Sequence, residues 1–185
     1  TYVQSVPICG DMKLINLYGA PGSGKSVTAA QLFIKLKSQG VATELVGEFT
    51  KELIYLGNEV QLVNQVYIMG SQYRKLKDLE RAGIEIAISD SPLLLQLVYC
   101  QGKSYYEEIK ALVLKLNDEF DNTDIYLNRI HPYQTYGRVH TEEEANEIGI
   151  KIKKAMNDSF KYSVFSNDAG VSFLEKEILK IAAKS

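Results

Sequence analysis

The chain has 185 residues, a formal net charge of -2 and a hydrophobic content of 45%. This length suits one domain with a sizeable core, and the charge disfavours a protein whose main task is to grip nucleic acid phosphates. No apolar run approaches the ~18 residues that a bilayer span needs, and residues 1–11 lack the pattern of a signal peptide. Cys9 and Cys100 have no metal-like spacing, which favours a reduced, cytoplasmic setting.

A strand predicted at residues 14–18 runs into a glycine-rich turn that fills every fixed position of G-x-x-x-x-G-K-[S/T], the Walker A pattern. Glycines let such a turn point its backbone N–H groups at a polyphosphate, and the following helix adds its positive N-terminal end. Lys25 can reach the β- and γ-phosphates, and Ser26 can offer a hydroxyl to Mg²⁺. We therefore predict that ATP binds to Gly19, Ala20, Pro21, Gly22, Ser23, Gly24, Lys25, Ser26 and Val27.

Strands and helices alternate along the rest of the chain, with further strands predicted at 42–46, 84–88, 124–127 and 162–165. Apolar residues at helical spacing predict the buried faces of four helices: Ala30, Phe33, Ile34 and Leu36; Leu62, Val66, Met69, Tyr73 and Leu76; Ile109, Leu112, Val113, Leu116 and Phe120; Leu174, Ile178 and Ile181. Thr141 and Glu144 predict a capping box at the start of another helix. This alternation predicts an α/β fold with a parallel sheet covered on both faces.

Ligands of such sheets bind beyond the carboxyl ends of the strands, where two carboxylates are expected. Asp90 follows the strand at 84–88, and it can orient Mg²⁺ or cap the next segment of chain. Glu48 follows the strand at 42–46, and it can accept a proton from an attacking hydroxyl, bind the acceptor or lie in a solvated loop. Either carboxylate could be the catalytic base.

A polar segment around residues 129–141 carries arginines between a strand and a capped helix. Such arginines fit a lid that closes over the phosphates and neutralises charge in the transition state. Arg138 is the first candidate for this role and Arg129 the second, with weak surface ion pairs as the alternative. No third ligand accompanies His131 and His140 at a metal-binding spacing.

These motifs together resemble the small P-loop kinases, in particular the nicotinamide riboside kinase domain and related bacterial and phage nucleoside or nucleotide kinases. The resemblance is carried by 19–26, 47–52, 72–74, 89–92 and 137–138, and it divides the chain into an extension at 1–12 and one kinase domain at 13–185. It implies a five-stranded parallel sheet, ATP with Mg²⁺, and transfer of the γ-phosphoryl group to a hydroxyl or phosphate of a nucleoside-like acceptor. It also implies that Asn167 and Asp168 lie near the adenine.

The acceptor stays open, because residues 131–134 replace the acidic residues expected in riboside kinases. Two alternatives remain. One is a kinase acting on a hydroxymethylated base in phage DNA, since the sequence also resembles phage proteins, which would place it in the cytoplasm of a bacterium or an infected host. The other is an ATPase switch that signals through loop ordering.

Overall fold

The computed structural model describes residues 12–57, 61, 63–134 and 141–183. The strands are β1 (Lys13–Tyr18), β2 (Thr43–Val46), β3 (Ile86–Ser89), β4 (Asp121–Asn128) and β5 (Tyr162–Phe165). The helices are α1 (Lys25–Ser38), α2 (Phe49–Tyr55), α3 (Gln65–Arg81), α4 (Gln96–Tyr99), α5 (Tyr106–Asn117), α6 (Glu142–Ala155) and α7 (Asp168–Ala182), with a 3₁₀ turn at Leu93–Leu95. None of the helices within these ranges is long and apolar enough to cross a bilayer.

The five strands form one parallel sheet in the order β2-β3-β1-β4-β5, which confirms the predicted α/β fold. The first strand is central: Lys13 of β1 lies opposite Ile86 of β3 on one side and Asp121 of β4 on the other. Because all strands run the same way, the segments that follow β1, β3 and β4 emerge side by side at one edge of the sheet.

The two faces of the sheet are covered by different helices. Ile15 and Leu17 of β1 lie in a core completed by α1 and α7. Leu14 and Tyr18 lie in the opposite core, which is completed by α3, α4, α5 and α6. Side chains alternate between the faces of a strand, so the nearly continuous apolar sequence of β1 is buried on both sides.

The predicted buried faces of the helices need correction. In α1, Leu36 is buried, but Ile34 is 65% exposed and the sheet instead contacts the face that carries Ala29 and Leu32. Leu112 of α5 and Val66 of α3 are also exposed. Several apolar stripes fit a helical period in each segment, and tertiary packing chooses among them. Leu62 lies outside the described residues.

The structure also fixes where three helical segments begin or end. The buried segment from Leu93 to Val98 is helical. Its apolar residues, interrupted only by Gln96, show no amphipathic period. Phe120 is buried as predicted, but it follows α5 instead of lying within it. The capping box is confirmed: Glu144 N donates to Thr141 Oγ1 at 3.2 Å, and Thr141 N donates to Glu144 Oε2 at 2.8 Å.

Candidate nucleotide-binding site

The loop between β1 and α1 has a backbone that only glycine adopts readily. Gly19, Gly22 and Gly24 have φ angles of 150°, 81° and 89°. A Cβ at Gly19 would lie 2.4 Å from Ser23 Oγ and 2.8 Å from the carbonyl oxygen of Leu127. Gly24 is the N-cap of α1 and has no side chain to occupy the first N–H groups of the helix. The loop therefore offers those N–H groups to an anion.

Lys25 extends back over this loop. Its Nζ donates to the carbonyl oxygens of Gly19 at 2.9 Å and Ala20 at 3.3 Å. The ammonium group is thereby held beside the loop amides, where a bound polyphosphate would also lie. The role predicted for Lys25 in binding the β- and γ-phosphates stays a prediction.

Ser26 and Asp90 are 64 residues apart in sequence but meet at the edge of the sheet. Ser26 Oγ donates to Asp90 Oδ2 at 2.7 Å, because β3 pairs directly with β1. The other oxygen of Asp90, Oδ1, is buried and has no hydrogen-bond partner among the described residues. Hydroxyl and carboxylate oxygens are ligands that Mg²⁺ prefers, and Mg²⁺ at nucleotide sites takes few protein ligands. The pair therefore fits a Mg²⁺ ion that completes its shell with phosphate oxygens and water.

Glu48 is the N-cap of α2 and is linked to Ser26 through Lys51. Thr50 Oγ1 donates to Glu48 Oε1 at 2.5 Å. Lys51 Nζ lies 3.5 Å from Glu48 Oε2 and donates to Ser26 Oγ at 3.2 Å. Sequence reasoning did not select Lys51 as a site residue, although its position one helical turn after Glu48 is a signal that could have found it.

Tyr99 also lies close to Glu48. Burial of its hydroxyl, together with the negative charge of Glu48, raises the pKa of Tyr99 to about 12. The phenol therefore stays protonated at neutral pH and keeps its hydrogen-bond donor. The carboxylate of Glu48 thus contacts a threonine hydroxyl and a lysine, and its charge also acts on the phenol of Tyr99.

Arg129 follows β4 and is tied to the phosphate loop. Its Nη2 donates to the carbonyl oxygen of Pro21 at 3.0 Å, and its Nη1 pairs with Glu142 Oε1 at 3.2 Å. The guanidinium carbon lies 5.1 Å from the ring centroid of Tyr133. Arg129 is therefore held between the loop and the start of α6, and its role in a lid stays a prediction. Arg138, the first candidate, lies outside the described residues, as does His140.

The loop after β5 touches the phosphate loop from another side. A Cβ at Gly24 would lie 2.9 Å from Ser166 Cβ and Oγ. The next residue, Asn167, caps α7 by accepting a hydrogen bond from Gly170 N at 2.8 Å. Asp168 begins α7 and is exposed. Ser166, which directly precedes the residues predicted to lie near adenine, therefore lies beside the N-terminal end of α1.

Gln72 is buried below the site. Its Nε2 donates to the carbonyl oxygen of Ser91 at 3.1 Å and to that of Gly47 at 3.5 Å. It thereby joins the turns that carry Asp90 and Glu48. Arg74, in contrast, is exposed, and its Nε lies 3.7 Å from Oδ2 of Asp78 on the same helix.

The fold and sequence of the chain agree with known P-loop proteins. The family model described as an AAA domain, AAA_28, matches residues 14–170. A crystal structure of NadR in complex with NR has 16% identity and a TM-score of 0.65, and the match covers 85% of this chain and 46% of that one. The Mycobacterium tuberculosis APS kinase CysC in complex with AMPPNP and APS has 14% identity and a TM-score of 0.50, with 95% and 99% covered. APE1195 has 18% identity and a TM-score of 0.53, with 92% and 96% covered.

The chain is similar to the solved structures in fold more than in sequence. No curated protein matches the chain in sequence, and the chain spans less than half the length of the NadR chain. At identities of 14% to 18% the solved structures show a common fold, which confirms that the fold of the chain resembles that of small P-loop kinases. Because the family model spans most of the sequence, the chain belongs to the AAA domain family AAA_28 and has a P-loop nucleotide-binding fold.

Proposed function

We propose that the protein is a kinase that moves the γ-phosphoryl group of ATP to a hydroxyl or phosphate of a nucleoside-like or nucleotide-like acceptor. The observation that carries this proposal is the 2.7 Å contact between Ser26 Oγ and Asp90 Oδ2 directly beside the phosphate loop. A glycine turn alone explains a tight bend. A hydroxyl paired with a carboxylate at that bend is what a nucleotide-bound Mg²⁺ requires.

Each residue has a role that follows from its position. The loop amides and Lys25 would hold the β- and γ-phosphates, while Ser26 and Asp90 would hold Mg²⁺. Bound there, Mg²⁺ would offset negative charge on the phosphates. Arg129 would add positive charge beside the loop, where it contacts the carbonyl oxygen of Pro21. Catalysis would come from positioning and electrostatic stabilisation, as phosphoryl transfer generally requires.

Glu48 is the better candidate for the acceptor side. Asp90 is engaged with Ser26 at the proposed metal site, whereas Glu48 does not contact Ser26 directly and is oriented by Thr50 and Lys51. In transfer to a hydroxyl, the acceptor oxygen would form a bond to the γ-phosphorus as the bond to the bridging oxygen of ADP breaks. The proton released by the hydroxyl would pass to the Glu48 carboxylate.

The solved structures support this class of reaction. The APS kinase was crystallised with AMPPNP and APS, and NadR with NR. Chains of this fold can therefore hold an ATP analogue together with an acceptor, and we extend that arrangement to the present protein.

The test is transfer of labelled phosphate. The protein is incubated with Mg²⁺, γ-labelled ATP and a panel of nucleosides, nucleotides and hydroxymethylated DNA. We expect label in a small acceptor with the unaltered protein and with Lys35→Met, a control in the same helix, but none with Lys25→Met. Asp90→Asn should lower transfer and raise the Mg²⁺ concentration needed for AMPPNP binding.

Three outcomes would contradict the proposal. Hydrolysis of ATP without any labelled acceptor would favour the switch, and label confined to DNA would favour the modified-base kinase. Unchanged turnover in Lys25→Met would remove the phosphate loop from the mechanism.

A further inference from the structure

A cavity of about 410 Å³ lies between the end of β4 and α6, directly beside the phosphate loop. The part of its wall that can make polar contacts comes from Tyr126, Asn128, Arg129, Asn146 and Lys153. Ala20, the second residue of the phosphate loop, completes the side nearest the proposed nucleotide. The cavity is thus next to the site where phosphoryl transfer would occur, but it is separate from Ser26, Asp90 and Glu48.

The charge of this wall is one-sided. Among the lining residues that the structure describes, Arg129 and Lys153 are cationic and none is acidic. Lys153 Nζ lies 4.6 Å from the ring centroid of Tyr126. The Nε of Arg129 is buried and has no hydrogen-bond partner within the described ranges.

Two acidic residues lie close by but outside the wall. Glu142 pairs with Nη1 of Arg129 and leaves Nε unpaired. Asp158 is near enough for its charge to act on Tyr126. The pKa of the Tyr126 phenol is raised, first by burial and then by the negative charge of Asp158, while the positive charge of Arg129 lowers it. The Tyr126 hydroxyl therefore stays protonated and can donate to a ligand oxygen.

The shape of the cavity depends on a close approach of α6 to the loop. A Cβ at Gly149 would lie 3.1 Å from Ala20 Cβ and 3.2 Å from Tyr126 Oη. Glycine at this position lets the helix pack against the loop without filling the space between them. Lys153 lies one turn further along the same helix. It lines the cavity together with Arg129, which follows β4.

We propose that this cavity binds a phosphate group of the acceptor, so that the enzyme takes a phosphate monoester such as a nucleoside monophosphate and not an uncharged nucleoside. The inference rests on the proposed function, because it concerns the second substrate of the proposed reaction. Cationic side chains that line a cavity attract an anion, and amide and phenol donors complement phosphate oxygens. A phosphate held there would anchor the acceptor beside the phosphate loop.

The experiment measures acceptor binding with the phosphate loop already filled. The full chain is saturated with Mg²⁺ and AMPPNP, and calorimetry then follows titration of inorganic phosphate and of matched pairs of nucleosides and their 5′-monophosphates. We expect the monophosphates to bind more tightly than the nucleosides, and Lys153→Met to weaken phosphate and monophosphate binding by about tenfold or more. Lys153→Arg should keep most of the affinity.

A matched control is the neighbouring lysine. Lys154 is exposed and lies outside the cavity wall, so Lys154→Met should bind the monophosphate as the unaltered protein does. The affinity for AMPPNP should be the same in all four proteins, since Lys153 does not contact the phosphate loop in the proposed arrangement.

The outcomes separate this inference from the proposed function. Equal phosphate affinity in Lys153→Met and Lys154→Met, or transfer of label to uncharged nucleosides alone, would overturn the phosphate-binding cavity while leaving the kinase intact. Failure of the unaltered protein to bind AMPPNP would instead overturn the proposed function, and the inference with it.

Discussion

Replacing Gly19 by alanine tests the geometry of the phosphate loop directly. The φ angle of 150° is unfavourable for a residue with a Cβ, which costs about 1–3 kcal/mol. The added atom would also lie 2.8 Å from the carbonyl oxygen of Leu127, a residue of β4 that pairs with Val164 of β5. Overpacking of this kind adds about 1–3 kcal/mol. We therefore expect Gly19→Ala to lower the free energy of unfolding by roughly 2–6 kcal/mol.

Gly40 supplies a matched control that measures the cost of the backbone conformation without the cost of overpacking. It also has a positive φ, 82°, but a Cβ there would meet no atom within 4 Å. Gly40→Ala should therefore cost only about 1–2 kcal/mol and leave nucleotide binding unchanged. Urea unfolding gives the stability of both variants, and calorimetric titration with Mg²⁺ and AMPPNP gives their affinity. Equal destabilisation in the two variants, with normal AMPPNP binding by Gly19→Ala, would refute the reasoning.

Three further predictions concern other positions. Lys51→Met should lower kcat by roughly tenfold or more with little change in AMPPNP affinity, because the Lys51 ammonium lies 3.2 Å from Ser26 Oγ. An unchanged kcat in steady-state assays would show that catalysis does not use this charge. Burial raises the pKa of Asp124, so the folded protein binds more protons and its stability should fall as pH rises from the ordinary carboxyl pKa through the raised one. Asp124→Asn should remove that fall and be more stable than the unaltered protein at pH 7 in urea unfolding, and a variant less stable at pH 7 would contradict this. Thr141→Ala should cost about 1 kcal/mol by loss of the capping box, and an unchanged melting temperature would show that α6 does not depend on its cap.

Local motifs made much of the fold predictable. The order of strands and helices, the position of the phosphate loop and the capping box at Thr141 each depend on neighbouring residues. Backbone conformation, helix capping and side-chain period act over a few residues, so they can be recognised in the sequence. The buried helix faces were less predictable, as Ile34 shows, because a period names candidate stripes and packing selects one.

The candidate site shows the same division. Sequence reasoning selected Lys25 and Ser26 from the Walker A pattern, and Asp90 from its place after a strand, where parallel sheets bind ligands. It missed Lys51, whose proximity to Ser26 depends on how α2 packs. It also did not reveal the cavity beside Ala20, because that space exists only where α6 meets β4.

By itself, the sequence determined that a tight anion-binding turn joins a strand to a helix and that a parallel sheet follows, since these are properties of short segments. Only the tertiary structure decided that β3 lies beside β1 and brings Asp90 to 2.7 Å from Ser26, and that Arg129 contacts the loop at Pro21. The physical reason is that strand order and helix packing depend on contacts between residues far apart in the chain, which no local pattern encodes.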